Sequence, residues 1–175
     1  MKVFEYGSGG STIFLSERAD QVFSVEHDKN WHTLVSQALA RRGITNCSYG
    51  LREPRSILGT SSGEDHSGRS EFMFDEREWE YPDLTFDAYV KSIDAHPDHT
   101  FDLVLVDGRA RAACIDHALP KVRRGGHLML DNSNDDKIVG ALGVLKPYAR
   151  VDFHGIAPGW PPARWTTSVW QMRAR

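Results

Sequence analysis

Three oxygen-bearing side chains follow two apolar runs of the sequence. Asp107 comes directly after the run FDLVLV, and Asp131 and Asn132 come directly after HLML. Continuous apolar runs of this kind are typical of strands buried on both faces, and the carboxyl ends of neighbouring parallel strands meet at one edge of a sheet. Two carboxylates and an amide are hard oxygen ligands of the kind that Mg²⁺ binds. The pattern predicts a divalent metal site or, without metal, a group that orients a substrate.

A second set of chemically capable residues lies near the start of the chain, in the segment VFEYGSGGST. Its β-branched and aromatic residues predict a buried strand. Gly7, Gly9 and Gly10 allow the backbone to turn sharply and to approach a ligand closely. Ser11 or Thr12 is expected to cap the helix that follows, whose first amide groups then face the ligand. The segment therefore predicts a small-molecule site.

An acid in the next apolar run extends this pattern. Glu26 ends the run QVFSVE, nineteen residues after Gly7, where the second strand of an open α/β sheet places a carboxylate beside a ribose diol. Strand, glycine turn, helix, strand and terminal acid together predict a nucleoside cofactor site. The alternative is a glycine turn that only lets a helix pack on a strand, and the position of Glu26 makes that alternative the less favoured one.

Two cofactor families use this layout, and the third glycine position distinguishes them. Dinucleotide sites require G-x-G-x-x-G, and counted from Gly7 the third glycine would fall at Thr12. The remaining pattern, Glu5 followed by Gly7 and Gly9, resembles the first motif of class I S-adenosylmethionine-dependent methyltransferases. The resemblance implies that the turn passes beneath the methionine part of the cofactor. It also implies that Glu5 helps to hold the ammonium group and that Glu26 binds the ribose.

The resemblance implies a cofactor site that extends over the whole glycine turn and the residues around Glu26. Trp31 has two interpretations: its helical spacing with Leu34, Val35, Ala38 and Leu39 favours core packing, whereas the start of its helix lies at the ligand-binding edge. Both remain open. The residues expected to contact the cofactor are Glu5, Gly7, Ser8, Gly9, Gly10, Ser11, Thr12, Glu26, His27, Trp31 and Asp107.

The order of elements predicts an α/β fold in one domain, residues 1–175. Helices are expected over 84–98, before a glycine pair at 125–126 and over 138–145, between the apolar runs. Two final strands, 150–156 and 164–172, have no helix between them and must therefore pair antiparallel. A doubly wound, mostly parallel seven-stranded sheet that ends in such a hairpin is the class I methyltransferase fold. The resemblance thus covers the chain from Val3 to Met172.

Two features depart from the family pattern. The family has helices before its first strand, whereas here the strand starts at Val3. The resemblance therefore implies an open site, or a wall supplied by the segment at about 53–82 or by a second subunit. The segment at about 53–82 is Gly/Ser-rich, then aromatic, without clear periodicity. It is expected to be a flexible insertion, either a lid that carries Phe72, Phe74, Trp79 and Tyr81 over a substrate or a solvated excursion.

The trio Asp107, Asp131 and Asn132 resembles the metal site of catechol and caffeoyl-coenzyme A O-methyltransferases. The resemblance implies a divalent cation, Mg²⁺ or a similar ion, that lowers the pKa of a substrate hydroxyl. Without metal, Asp107 caps the next helix or orients cofactor and substrate, and the pair after the second run forms a turn. Both interpretations stay open.

Those metal-dependent enzymes have a lysine base three residues after the first metal aspartate, where this sequence has Ala110. Arg109 and Arg111 flank that position, but an arginine is always protonated and is a poor base. We therefore predict Asp107 as the principal catalytic residue and Arg109 as a second catalytic candidate. Arg109 and Arg111 are both candidates for binding an acidic group of the substrate.

Composition limits the partners. The net charge of −3 over 175 residues provides no basic stripe for a phosphate backbone, so a nucleic-acid substrate is not expected. No apolar run approaches the ~20 residues of a membrane span, and no signal peptide is apparent, which predicts a cytoplasmic protein.

The leading function is methyl transfer from S-adenosylmethionine to a small-molecule hydroxyl or related nucleophile, with or without a divalent metal. An NAD(P)-dependent oxidoreductase is disfavoured by Thr12 and by the terminal hairpin. A third class is a cofactor-binding module without catalysis. A homo-oligomer is left open.

Overall fold

A seven-stranded sheet forms the centre of the computed structural model, which describes residues 1–57, 77–78, 81–156 and 164–173. Its strands lie in the order β3-β2-β1-β7-β8-β10-β9. The first five are parallel, and β10 is antiparallel to both of its neighbours. The described strands are β1 Lys2–Tyr6, β2 Gln21–Glu26, β3 Cys47–Leu51, β4 Arg55–Ser56, β5 Arg77–Glu78, β6 Tyr81–Thr85, β7 Phe101–Val106, β8 Val122–Leu130, β9 Ala149–Ile156 and β10 Arg164–Gln171. The predicted mostly parallel sheet with its terminal hairpin is confirmed.

Helices connect the parallel strands. Three of the helices continue into 3₁₀ turns, at Lys91–Ala95, Leu119–Lys121 and Gly140–Leu145. Pro120 lies in the second of these turns, and because proline has no backbone N–H it ends the helix before it, as predicted. The α-helices of the described residues are α1 Gly10–Ser16, α2 Lys29–Arg41, α3 Asp87–Val90, α4 Arg111–Ala118 and α5 Asp136–Val139.

Alternating side chains of the central strands pack into two apolar clusters. Along β1 and β7, Phe4 and Val104 belong to the larger cluster, whereas their neighbours Val3 and Leu105 belong to the smaller one. Because successive strand residues point to opposite faces, the clusters lie on opposite sides of the sheet. Tyr89, Ile93, Ile115 and other residues of the α3 and α4 regions complete the larger cluster, and Leu15 of α1 contributes to the smaller one. Helices on both faces hold the strand ends, where the site lies, in fixed positions.

Two predicted helix boundaries are wrong. Leu84 lies in β6, and the helix begins only at Asp87. The segment 124–126, expected to end a helix, is part of β8. Gly125 has φ +72°, and a Cβ at Gly126 would lie 2.9 Å from the backbone oxygen of Asp102. The glycine pair therefore allows the start of β8 to approach β7 closely, next to a register shift after Phe101.

A small antiparallel sheet, in the order β4-β6-β5, occupies the described part of the segment at 53–82. The sequence did not predict it. Arg55 of β4 makes an ion pair with Asp87 at the start of α3, which ties this sheet to the main body. Tyr81 lies in β6, whereas Phe72, Phe74, Trp79 and the Gly/Ser-rich stretch lie outside the described residues. The lid therefore stays a prediction.

No helix in the described ranges is long and apolar enough to cross a membrane.

Candidate active site

The residues singled out by the sequence converge at the carboxyl edge of the parallel sheet. The chain leaves β1 at Gly7, whose N–H donates to Val25 O of β2 at 3.0 Å. Asp107 follows β7 and donates its N–H to Tyr6 O at 2.8 Å, and Asp131 follows β8 and donates to Val106 O at 3.1 Å. These four strands are neighbours, so the glycine turn lies beside the acidic residues of β7 and β8.

Position 7 requires a glycine, both because of its backbone conformation and because no space is left for a side chain. Its φ is +85°, a region that L side chains rarely adopt. A Cβ at this position would lie 2.6 Å from the backbone oxygen of Asp107 and 2.8 Å from Gly108 Cα. The glycine turn and the Asp107 segment are therefore in backbone contact. A cofactor bound over the turn would lie directly beside Asp107.

Glu5 is fully buried and is held by hydroxyl groups. Its Oε2 accepts hydrogen bonds of 2.6 Å from Thr12 Oγ1 and from Ser24 Oγ. Burial raises the pKa of Glu5, against the opposing effect of the hydroxyls, of which Ser11 contributes most. A positive group that approaches a buried carboxyl favours its ionised form and lowers the cost of burial.

The predicted cap of α1 takes a different form. The helix begins at Gly10, so neither Ser11 nor Thr12 precedes it as an N-cap. Thr12 instead accepts the Gly9 N–H at 2.9 Å and donates to Glu5. Its hydroxyl thereby links the glycine turn to Glu5, next to the last residue of β1. A Cβ on Gly10 would meet nothing within 4 Å, so that side of the turn is open.

Glu26 is the second buried acid of the site, 2% exposed. Its Oε2 accepts from Ser8 N at 3.1 Å and Ser8 Oγ at 2.7 Å, and its Oε1 accepts from the backbone N–H groups of His27 and Asp28. Burial alone would raise the pKa of Glu26, but the hydrogen bonds that it accepts lower it to about 2. Glu26 is therefore ionised at neutral pH and fixed in orientation.

Two ring side chains flank Glu26. His27 Nδ1 lies 2.8 Å from Glu26 Oε1, and its ring lies 5.7 Å from that of Phe86. Trp31 is 47% exposed, so the core interpretation of this residue is wrong. Its indole Nε1 donates to Ser8 O at 2.8 Å, which places the ring over the glycine turn. Trp31 is exposed because only one face of α2 packs on the sheet, through buried Val35 and Leu39.

Asp107 and Asp131 form a pair of interacting carboxylic acids after β7 and β8. The pKa of Asp107 is raised to about 7, chiefly by burial and then by the charge of Asp131, against the opposing charge of Arg111. Its side chain is 39% exposed, so the carboxyl remains reachable from solvent. Asp131 Oδ1 accepts a hydrogen bond from Thr167 Oγ1 of β10. The pair therefore has one partly protonated member at neutral pH.

Arg111 joins the two strand ends. Its Nε donates to Gly108 O at 3.0 Å and its Nη1 to Asp131 O at 2.8 Å, while Nη2 lies 3.5 Å from Asp107 Oδ1. With so many contacts inside the protein, Arg111 is a positioning residue. Arg109 is half-buried in the same connection, and its backbone oxygen accepts from Cys114 Sγ. Its catalytic role stays a prediction.

Asn132 has φ +52°, a conformation that asparagine tolerates better than most residues. Its Oδ1 is buried and finds no hydrogen-bond partner among the described residues. In that part of the chain no group of three His, Cys, Asp or Glu side chains is arranged to hold a metal. A cation here would have to rely on the two carboxylates and the Asn132 amide.

Sequence reasoning missed two contributors to the site. Tyr49 of β3 places its hydroxyl 2.6 Å from Ser8 Oγ and stacks on His32 at 4.4 Å. Tyr49 lies in the middle of β3, so no signal at a strand end indicated it. Thr167, which bonds Asp131, comes from the antiparallel hairpin, and no pattern in the sequence indicated its register.

No protein-family model matches the chain, and no curated protein matches it in sequence. Solved structures do resemble it. They include an rRNA methylase from Streptococcus thermophilus, with 12% identity, a TM-score of 0.59, and coverage of 98% of this chain and 87% of that one. An O-methyltransferase, TomG, from Streptomyces achromogenes in complex with S-adenosylmethionine has 15% identity and a TM-score of 0.61, over 98% of this chain and 73% of that one. A Thermotoga maritima S-adenosylmethionine-dependent O-methyltransferase has 11% identity and a TM-score of 0.60, over 99% and 60%.

These likenesses, together with the strand order, show that the chain has the class I methyltransferase fold. They do not support the expectation that nucleic acid is excluded as a substrate, because one of these structures is an rRNA methylase. At such low identity the shared feature is the fold, and the activity has to be argued from the site.

Proposed function

We propose that the protein transfers a methyl group from S-adenosylmethionine to a nucleophile on a small molecule, with a hydroxyl as the acceptor that suits the site best. The observation that carries this proposal is the backbone contact between Gly7 and the Asp107 segment. It brings a glycine turn flanked by two buried acids against a reachable acidic pair. A donor and an acceptor bound at these two places would therefore lie side by side.

The two buried acids suit the two ends of the cofactor. Glu5 is a buried carboxyl with a raised pKa, and the cofactor's ammonium group would offset its cost of burial. Glu26 is ionised and oriented for a ribose diol. The Ser8 hydroxyl is the donor that a ribose hydroxyl would replace, and this exchange costs little because Ser8 Oγ keeps a second partner in Tyr49, at 2.6 Å.

Methyl transfer needs alignment and a proton acceptor. The acceptor oxygen forms a bond to the methyl carbon while the carbon–sulfur bond breaks, and the electron pair stays on sulfur in the product S-adenosylhomocysteine. The hydroxyl proton passes to Asp107, which suits this role because a base with a pKa near the working pH is the most effective. Its pKa of about 7 meets that condition without the lysine that related enzymes use.

The dinucleotide alternative is weakened by the same contacts. The position where a pyrophosphate site needs its third glycine is held by Thr12, which is buried and bonded to Glu5 and Gly9. A module without catalysis would have no need of a reachable acidic pair. Methyl transfer therefore explains more features of the site than dinucleotide binding or a module without catalysis does.

A divalent cation fits the donor set around Asp107. Two neighbouring carboxylates repel each other when both are ionised, and the buried Asn132 Oδ1 finds no partner in the described part of the chain. Asp107, Asp131 and Asn132 would hold the ion. When bound, Mg²⁺ would lower the pKa of the acceptor hydroxyl.

Excess Mg²⁺ is expected to raise the melting temperature of the wild-type protein, because a ligand that binds only the folded state stabilises it. Asp131→Asn should abolish this rise by removing one of the two charges. The measurement is differential scanning calorimetry in chelator and in Mg²⁺. A melting temperature that Mg²⁺ leaves unchanged in the wild-type protein would remove the cation from the proposal and leave Asp107 as a base alone.

Replacing Glu26 with alanine is expected to weaken the binding of S-adenosylhomocysteine by about ten- to a hundred-fold. Charge-assisted hydrogen bonds to a carboxylate contribute roughly 1.5 to 3 kcal/mol. The matched control is Glu17→Ala, the same change at an exposed position, which should leave affinity unchanged. Calorimetric titration of folded variants checks this, and equal affinities in both would place the ribose elsewhere.

The proposed function is tested by incubating the protein with S-adenosylmethionine labelled in its methyl group and a panel of acceptors. The panel contains aromatic and aliphatic hydroxyls, amines and total RNA. We expect label in a hydroxyl compound. Label in RNA alone would show that methyl transfer is right and the acceptor class wrong, whereas label in no acceptor, together with failure to bind S-adenosylhomocysteine, would overturn the proposal.

A further inference from the structure

The strand β9 forms an open edge of the main sheet. In the part of the chain that the structure describes, β9 pairs only with β10, in an unbroken register from Ala149 to Ile156. All eight of its residues are exposed, and none of them is a proline or a lysine. Proteins usually protect such an edge with proline, with like charges or with a bulge, because unpaired backbone N–H and C=O groups accept a further strand. The edge at β9 is therefore open to pairing.

The two faces of β9 differ in chemistry, because successive residues of a strand point to opposite sides. Val151 and Phe153 lie on one face and are each 58% exposed. The register of the hairpin places Trp165 of β10, 40% exposed, on that same apolar face. Arg150 and Asp152 lie on the other face, where Arg150 Nε donates to Asp152 Oδ1 at 2.6 Å. The side chains of this ion pair are still 38% and 34% exposed, so both charges can take part in further contacts.

We propose that β9 pairs antiparallel with β9 of a second copy of this chain, which joins the two main sheets into one. A two-fold axis perpendicular to the sheet sets two copies of a strand side by side in this way and continues each face into the same face of the partner. The residue on the axis lies opposite itself, and residues at equal distances before and after it lie opposite each other. The sequence of β9 therefore decides which register is favourable.

The charged face selects the register. An axis through Arg150 or Asp152 would place that side chain opposite its own copy, and like charges directly opposite each other destabilise a pair of strands. An axis through Val151 instead places Arg150 opposite the partner's Asp152, and Asp152 opposite the partner's Arg150. Because each chain also contains its own Arg150–Asp152 ion pair, the four charges alternate in sign around the axis.

The apolar face fits the same register. With the axis at Val151, this side chain lies opposite its own copy, and the large Phe153 lies opposite the small Ala149 of the partner. Trp165 lies one strand further from the axis on the same face in each copy. Pairing would therefore cover apolar side chains that are more than half exposed in the single chain.

An axis through Phe153 is the nearest alternative. It would bring two phenylalanine rings together, which is favourable, but it would place Arg150 opposite Ile156. It would also match Asp152 only with His154, whose imidazole is charged only when it is protonated. The register centred on Val151 is the one that satisfies both faces at neutral pH.

The dimer brings a second chain next to the candidate active site. Both β8 and β9 are antiparallel to β10, so the end of β9 at Ile156 lies at the same edge of the sheet as the end of β8. An open hollow of about 250 Å³ lies there, and its lining includes Phe153, Trp165 and Asp131. The start of the partner's β9 would lie beside Phe153 and border this hollow. This consequence, unlike the dimer itself, rests on the proposed function.

The test is sedimentation velocity of the full chain over a series of concentrations. We expect the wild-type protein to reach twice the mass of one chain as the concentration rises. Arg150→Asp and Asp152→Arg should each raise the dissociation constant at least about a hundred-fold, because either change sets like charges opposite each other twice in the interface. The matched control is Asp116→Arg, a charge reversal at an exposed position of α4, which should dimerise as the wild-type protein does.

An equal mixture of Arg150→Asp and Asp152→Arg tests the register itself. One variant has two negative charges at these positions and the other has two positive charges, so each side chain would again lie opposite the other sign. We expect the mixture to form a heterodimer, identified by its mass in native mass spectrometry, and the double variant Arg150→Asp/Asp152→Arg to form a homodimer. A monomeric wild-type protein, dimeric single variants, or a mixture that stays monomeric would each overturn the proposal.

S-adenosylhomocysteine binding serves as the check on folding and separates this inference from the proposed function. Both single variants should bind S-adenosylhomocysteine as the wild-type protein does, because its expected contacts are on β1, β2 and α2. If the wild-type protein dimerises through β9 but does not bind S-adenosylhomocysteine, the proposed function is wrong and the dimer stands. If it binds S-adenosylhomocysteine and sediments as a monomer throughout, only the dimer is wrong.

Discussion

Replacing Asp107 with asparagine is expected to lower the rate of methyl transfer by about 10²- to 10⁴-fold, the range for loss of a positioned general base. Asparagine keeps the size and shape of the side chain but cannot accept the acceptor's proton. The carboxylate is also one of the two that would hold a cation, so its loss removes activity by either route. The measurement is the transfer of labelled methyl from S-adenosylmethionine to the best acceptor of the panel.

The control for this change is Asp116→Asn, at an exposed position of α4, which should keep the wild-type rate. Asp107→Asn should still bind S-adenosylhomocysteine, because Glu5 and Glu26, which are expected to hold the two ends of the cofactor, are unchanged. A variant that binds the cofactor product and still turns over at the wild-type rate would contradict the role of Asp107 as base.

Replacing Gly7 with alanine is expected to destroy the cofactor site. The new Cβ would lie 2.6 Å from Asp107 O, closer than real Cβ atoms come to other heavy atoms, and the residue would also have to hold φ at +85°. Because the atoms that the new Cβ would meet belong to the backbone of Asp107 and Gly108, no side chain can move aside, and the glycine turn has to move away from β7. We expect affinity for S-adenosylhomocysteine to fall by at least about a hundred-fold, which equals about 2.7 kcal/mol, together with lower resistance to denaturant.

Gly43→Ala is the matched control, because it separates conformational cost from close contact. Gly43 also has a positive φ, +65°, but a Cβ there would meet nothing within 4 Å. This variant should lose about 1 to 2 kcal/mol of unfolding free energy, the cost of an L side chain in the left-handed conformation, and should bind S-adenosylhomocysteine normally. If Gly7→Ala behaved in the same way, the contact between the glycine turn and the Asp107 segment would not be needed for binding.

The fold could be predicted from the sequence where a pattern had a single interpretation. The run FDLVLV became a strand buried in the sheet, and the two final runs without a helix between them became the β9–β10 hairpin. Boundaries failed where spacing was ambiguous. The glycine pair at 125–126 looked like a helix end, but it allows a close approach of two backbones, and only the packed structure shows such an approach.

The sequence predicted which strands carry the acids of the site, but not the contacts that those acids make. Glu5, Glu26, Asp107 and Asp131 lie at or near the carboxyl edge because parallel strands share one direction. The contacts that make the site chemically specific depend on long-range packing. Arg111 was considered only as a substrate-binding group, yet it joins the two strand ends.

Trp31 shows the limit of helical spacing as a signal. Its position at i, i+3 and i+4 from other apolar residues indicated a core face, but α2 buries only Val35 and Leu39. The amphipathic stripe was wider than the surface that the sheet could cover. The exposed indole instead reaches Ser8 O at 2.8 Å, and this contact over the glycine turn suits a cofactor ring better than a core.

Calorimetric titration of the wild-type protein with S-adenosylhomocysteine, and separately with NADH, tests the central claim most directly. The account predicts that S-adenosylhomocysteine binds with one site per chain, that Glu26→Ala weakens it and Glu17→Ala does not, and that NADH gives no heat of binding. A folded wild-type protein that binds NADH, or that gives no binding heat with S-adenosylhomocysteine at several temperatures, would contradict the assignment of this site to methyl transfer.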